Sequence, residues 1–280
     1  MKNWLLAARP KTLGAAVAPV LIGSAFASAG GVFHPLAAAA ALWGALWIQI
    51  GTNLANDYFD FKKGADTEER VGPTRATAAG LIAPAVMKRA FILAFGLVLP
   101  AAAYLVTRGG WPIALVGLSS IGLGILYTAT PWALGYKGTA DIVALLFFGP
   151  IAVGGTYWVQ SQTLPADVLI AGCAPGLLSV AMLTVNNLRD RATDAKVGKK
   201  TLAVRFGPRF ARWEFTLALL GGCLLPLTLG HWLPTLIAIA AIPALRTVWT
   251  TEGAALNKTL GTTGKLMLAH SALFALSILT

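Results

Sequence analysis

Charged residues are scarce in this 280-residue chain: they make up 12% of it, and only 11 of them are Asp or Glu. So little charge cannot solvate the surface of an ordinary soluble domain. With 56% hydrophobic residues and a mean hydropathy of +0.70, the composition is that of an integral membrane protein. Cysteine is nearly absent. Cys173 and Cys223 each sit inside an apolar run with no CxxC or Cys/His ligand spacing, so they read as small buried apolar residues and say nothing about redox compartment. There are three histidines without a partner pattern: His34 and His231 fall in turns between apolar runs and His270 within the last run, and none is assigned a catalytic role. No GxGxxG, Walker-type glycine loop or GxSxG elbow occurs, which leaves the chemistries that use them without a motif.

Long apolar runs are what the chain does have. Read against charged or Gly/Pro breaks, they give nine expected spans, about 12–29, 36–57, 87–107, 111–130, 139–159, 166–187, 210–230, 232–250 and 261–280. The connections then alternate between two sides, and all of the 22 Lys and Arg residues except Arg108 fall on the side that holds the N-terminus. By the positive-inside rule that side is cytoplasmic, and an odd number of spans puts the C-terminus opposite. The N-terminal segment, with Lys2, Arg9 and Lys11 ahead of an apolar run, could pass for a signal peptide, but the alternating charge count needs it as the first span. The net charge of +11 therefore reads as membrane topology and not as nucleic-acid binding. The sequon at Asn257-Lys258-Thr259 lies on the inner side and carries no glycosylation meaning.

The few acids are not scattered. Asp57, Asp60, Asp66, Glu68 and Glu69 gather at an expected loop over 58–86, and Asp190 and Asp194 at one over 188–209. Acid does not retain a loop in the cytoplasm, so topology does not explain them. Asn53, Asp57 and Asp60 are spaced i, i+4, i+7, and Asn186, Asp190 and Asp194 are spaced i, i+4, i+8, so each set lies on one face of a helix. Both sets follow even-numbered spans and reach the same bilayer surface. Each cluster alone could be an ion-paired helix end. Two at matching height, each preceded by Asn and followed by Lys or Arg, have the composition of a site for magnesium and a diphosphate.

The residues that carry this pattern, NDYFDFKKGAD and NNLRDRATD, resemble the paired aspartate-rich motifs of the UbiA superfamily of intramembrane aromatic prenyltransferases. Further segments, RPKTL at 9–13, VGPTRATAAGLI at 71–82, GYKGTADIVALLFFG at 135–149 and NNLRDRATDAKVGKKTLAVRFG at 186–207, are similar to the branch that prenylates 1,4-dihydroxy-2-naphthoate in menaquinone synthesis. One feature departs from the commoner NDxxDxxxD spacing: the third aspartate, Asp66, lies six residues after Asp60. It binds metal directly, binds through water or only shapes the loop, and the spacing leaves all three open.

The resemblance implies an all-α integral membrane protein, a single domain over 1–280. Its bundle would hold about nine transmembrane helices, with two long cytoplasmic loops carrying the Asp-rich motifs. It implies magnesium held by Asn56, Asp57, Asp60, Asp66, Asp190 and Asp194, and a polyprenyl diphosphate bound with help from Asn53, Arg75, Lys137, Asn187, Arg189 and Lys200. Asp57, Asp60, Asp190, Asp194, Lys137 and Tyr127 are the expected catalytic set, and Tyr58, Tyr127, Trp132 and Tyr136 are candidates to face an allylic cation. The acceptor would be the naphthoate ring, losing carbon dioxide on prenylation, at a site facing the cytoplasm from the plasma membrane. The isoprenoid tail would lie between helices, open to membrane lipid. The competing readings are a superfamily member with another acceptor, such as 4-hydroxybenzoate or homogentisate, and a transporter. A transport site would place its acids toward the bilayer midplane instead of at one end.

Overall fold

The computed structural model describes residues 1–64, 71–129 and 138–280, and among them no strand occurs. The helices are α1 (Lys2–Ala8), α2 (Gly14–Ala29), α3 (Pro35–Lys62), α4 (Pro84–Gly96), α5 (Leu99–Gly109), α6 (Trp111–Leu126), α7 (Ala140–Phe147), α8 (Pro150–Ser161), α9 (Ala166–Lys196), α10 (Leu202–Leu224), α11 (Leu236–Ala240), α12 (Ile242–Thr250) and α13 (Leu256–Leu279). Short 3-10 turns cover Pro10–Thr12, Leu225–Leu229, Leu233–Thr235 and Gly253–Ala255. The protein is an all-α, multi-pass membrane bundle.

Among the described residues seven helical segments are long and apolar enough to cross a bilayer, and the bent pair Lys2–Thr12 and Gly14–Ala29, counted as one span, makes an eighth. The sequence pattern predicts nine. The difference lies at α6, which stands where the fourth span is expected but has only 16 residues. At 1.5 Å per residue it reaches roughly 24 Å, short of the ~30 Å hydrocarbon core.

Proline and glycine place the breaks. Arg9 takes a left-handed conformation (φ 51°) just before Pro10, and the chain turns by 50° between the two halves of the first pair. A residue ahead of proline is barred from continuing a helix comfortably, which is why α1 ends there; the 50° turn itself falls at Leu13, between Thr12 and Gly14. Pro150 likewise opens α8 after the break at Phe148 and Gly149. That break packs on the flat face of α9: a Cβ added to Gly172 would lie 2.6 Å from the Cα of Pro150, so only glycine permits the approach.

His34 caps α3: its ring Nδ1 accepts from the Ala37 N–H at 3.3 Å, while its own backbone N–H donates to Gln160 Oε1 at 3.1 Å and ties α3 to α8. Helix α9 is the axis of the second half, packed against α7, α8, α10 and α13. Its buried Leu178, Ala181, Val185 and Leu188 join Phe215, Leu219 and Met267 in the largest core cluster.

The expectation that the Asp-rich motifs lie in two long loops is corrected for the acids among the described residues. Helix α3 runs on to Lys62 and α9 to Lys196, so Asn53, Asn56, Asp57, Asp60, Asn186, Asn187, Asp190 and Asp194 all lie on helices. The second connection shrinks to 197–201. The helices continue because their polar faces are buried against partners, and each stops only where a glycine with positive φ follows, Gly64 and Gly198.

Candidate active site

At the end of α3 the helical repeat turns Asn53, Asn56, Asp57 and Asp60 inward, and all four are buried. A carboxylate removed from water must be paired or hydrogen-bonded. The segment 71–83, which leads into α4, supplies the partners. Asp57 accepts from the backbone N–H groups of Thr77 (2.9 Å to Oδ1) and Ala76 (3.0 Å to Oδ2). Asp60 Oδ2 accepts from Arg75 Nη2 at 2.6 Å, a pair of which both side chains are buried. Asp60 Oδ1, also buried, has no hydrogen-bond partner among the described residues. Asn56 Oδ1 accepts from Thr128 Oγ1 at 2.9 Å, and Asn53 Nδ2 donates to the Ala8 carbonyl at 2.9 Å and Thr12 Oγ1 at 3.0 Å, pinning the N-terminal bend against α3.

At the end of α9 the partners come from nearby in the chain. Arg189 grips its neighbour Asp190 with two bonds, Nε to Oδ1 at 2.8 Å and Nη2 to Oδ2 at 2.6 Å, and Nη2 also donates to Asn186 Oδ1 at 2.8 Å. Asp194 Oδ1 lies 3.4 Å from Lys199 Nζ.

One cavity of about 410 Å³ joins the two ends. Its polar mouth is lined by Asn53, Asn56, Asp60 and Arg75 from the first cluster, and by Asn186, Asn187, Asp190, Asp194 and Lys199 from the second. Beyond Tyr127 and Thr128 its wall turns apolar, with Val98, Leu105, Ile113, Leu123, Phe147 and Ile151. The arrangement can hold an anionic head among mixed acids, amides and cations, and a long apolar body in the bundle.

Several expected positions come out differently. Asp57 and Arg189 are buried but do not line the cavity; the first faces backbone amides and the second stands behind Asp190. Lys200 is exposed and does not line the cavity, whereas its neighbour Lys199 does. Tyr58 stacks on Phe59 and Phe91, with ring centroids 5.1 and 5.7 Å away, in a separate cluster. Asp66, Lys137, Trp132 and Tyr136 lie outside the described residues. Arg9, Thr128, Phe147 and Phe148 line the cavity without having been singled out by spacing, although Arg9 opens the RPKTL segment.

Among the described residues no three of His, Cys, Asp and Glu converge closely enough to chelate one ion. The carboxylates are instead turned to Arg75, Arg189, Lys199 and backbone N–H groups. The donor set still fits a hard cation that keeps part of its shell for water or phosphate oxygens. Asp60 Oδ1 offers an uncommitted buried oxygen, and Asn56, Asn186 and Asp190 offer further oxygens on the same cavity.

The profile of the UbiA prenyltransferase family matches residues 16–273. The chain is 40% identical over 224 residues to the 1,4-dihydroxy-2-naphthoate octaprenyltransferase of Escherichia coli, covering 78% of this chain and 73% of that protein. It is 40% identical over 216 residues to the protein of the same name in Haemophilus influenzae, covering 74% and 70%. A UbiA homolog from Archaeoglobus fulgidus, bound to GPP and Mg2+, has the same fold, with a TM-score of 0.63 over 98% of this chain and 99% of that one at 16% identity. With a profile match over nearly its whole length and these two relatives, the chain belongs to the UbiA prenyltransferase family.

Proposed function

We propose that this prenyltransferase moves a polyprenyl group from its diphosphate to 1,4-dihydroxy-2-naphthoate at the cytoplasmic face of the plasma membrane. The observation that carries the reading is one cavity that has both acid clusters at its mouth and an apolar interior beyond them. The names of the relatives at 40% identity support the naphthoate as acceptor.

Asn56, Asp60, Asn186, Asp190 and Asp194 would hold magnesium at the mouth, with Asp57 and Asp66 as further candidates. Bound there, the metal would neutralise charge on the diphosphate as it leaves. Arg75, Lys199 and Arg9 add fixed positive charge around the same head group, and Asn53 and Asn187 supply amide groups. The apolar wall takes the isoprenoid and keeps water from the allylic carbon once its C–O bond opens. Tyr127, where that wall begins, presents an aromatic ring near the reacting carbon, and Lys137 remains a candidate phosphate donor. The C–O electron pair leaves with the diphosphate. The ring carbon that bears the carboxylate then forms the new C–C bond, and loss of the carboxylate as carbon dioxide restores the aromatic ring. Atoms and charge balance with no further reactant.

The topology that fits this chemistry has α6 as a ninth, short span, the N-terminus inside and the C-terminus outside. A label near residue 195 should then react only from the cytoplasmic face. The deciding experiment supplies purified protein with magnesium, a polyprenyl diphosphate and a panel of aromatic acids, and identifies products by mass. Prenylated naphthoquinol with release of carbon dioxide is the expected result. A product with 4-hydroxybenzoate or homogentisate instead would overturn the acceptor, and no product with any acceptor would overturn the reaction.

A further inference from the structure

Asn257 stands in the first turn of α13, a helix that carries neither acid cluster, yet its side chain is bonded into the support of both. Its amide oxygen accepts from Arg189 Nη1 at 3.1 Å, and its amide nitrogen donates to the Val71 carbonyl at 3.1 Å. Neither contact is local, with sequence separations of 68 and 186 residues.

Each contact leads on to a half of the site. Arg189 is a buried guanidinium that fixes the Asp190 carboxylate and the Asn186 amide oxygen from behind, and both of those groups face the cavity. Val71 lies on the 71–83 strap, whose Arg75 holds Asp60 and whose Ala76 and Thr77 N–H groups hold Asp57. A planar amide donates one way and accepts the other, so this single neutral side chain satisfies both neighbours at once. An apolar side chain there leaves a buried guanidinium N–H and the strap carbonyl without this partner.

The geometry points to Asn257 as a positioning residue that couples the two half-sites, holding strap and Arg189 in register so that both acid clusters address one diphosphate. This rests on the proposed function, since it is a statement about how that site is held. Partners that orient ligand-bearing groups typically matter by about 10- to 100-fold in metal affinity. Asn257 would act in that way from a third element of the fold.

The test is direct binding of geranyl S-thiolodiphosphate, an analogue that resists C–O cleavage, by calorimetry on the full-length protein across a magnesium series. Asn257→Leu removes both bonds. Asn257→Asp has nearly the same shape, keeps an acceptor for Arg189 and sets a carboxylate oxygen against the Val71 carbonyl, so it breaks the strap contact alone. Lys258→Ala, at the exposed neighbouring position, is the control. At limiting magnesium both Asn257 variants should bind the analogue about tenfold more weakly than wild type and Lys258→Ala, with the gap closing at saturating magnesium. Asn257→Asp also keeps the test open should the leucine variant fail to insert. Unchanged binding in Asn257→Asp, or a loss of the same size at every magnesium concentration, would overturn the coupling role. Failure of the wild type itself to bind the analogue with magnesium would instead overturn the proposed function.

Discussion

The two acid clusters carry similar residues at similar spacing, but they are held in opposite ways. On α9 the holding groups are close in the chain: Arg189 precedes Asp190 directly, Asn186 is one turn back and Lys199 follows Asp194 by five residues. On α3 they come from a strap 15 to 20 residues further on, reaching Asp60 through a side chain and Asp57 through two backbone N–H groups. The α9 half can therefore be assembled by one helix and its exit, whereas the α3 half exists only once 71–83 has docked. A change at Arg75, Ala76 or Thr77 of the strap should damage the α3 cluster first and reach the α9 cluster only through the Val71–Asn257–Arg189 link.

The largest effect on function should come from removing a charge that faces the cavity in either half. Asp60→Asn and Asp190→Asn should each reduce kcat by about 10³-fold, roughly 4 kcal/mol of transition-state stabilisation, while the protein still inserts. Activity within tenfold of wild type in either variant would mean that only one cluster serves the reaction. Next comes Arg75→Ala, which strands the buried Asp60 carboxylate. It should cost about 3–5 kcal/mol of stability, read as a lowered melting temperature in detergent, and Arg75→Lys should recover part of it.

Asp57→Asn is a sharper probe because it keeps the shape and loses one of two acceptors. It should cost about 1–3 kcal/mol through one unpaired backbone N–H and loosen the strap, raising KM for the diphosphate more than it lowers kcat. A collapse of kcat with KM unchanged would instead make Asp57 a direct participant in the chemistry. The smallest effect is expected at Lys199→Met, where a partly exposed ion pair at 3.4 Å contributes about 0.2–1 kcal/mol. A KM shift of a fewfold for the diphosphate, without change in melting temperature, is the outcome to look for.

Legibility followed the range of the interactions. The Asn/Asp sets were readable because helical periodicity alone puts residues four apart on one face, and that held even though both helices run further than their apolar runs suggest. The sequence pattern ends both helices too early, because a charged residue reads as the end of a span whereas a buried polar face with partners extends it. The sequence does not separate Lys199 from Lys200, because adjacent lysines at a helix exit differ only in which way the turn at Gly198 aims them. Tyr58 looked like a cavity aromatic by position, and only the packing of α3 on α4 showed it among Phe59 and Phe91.

By itself the sequence determined the class and the chemistry on offer. Hydropathy set the membrane bundle, and the spacing of a few acids in an acid-poor chain marked both halves of a site, since these depend on composition and on a local repeat. The tertiary structure decided which groups meet. That Asp57 faces amides, that Arg189 stands behind Asp190 and that Asn257 reaches both halves depend on contacts 19 to 186 residues apart, save the one between Arg189 and its neighbour. No local pattern encodes such contacts, because they exist only when the strap, α9 and α13 pack at the same end of the bundle.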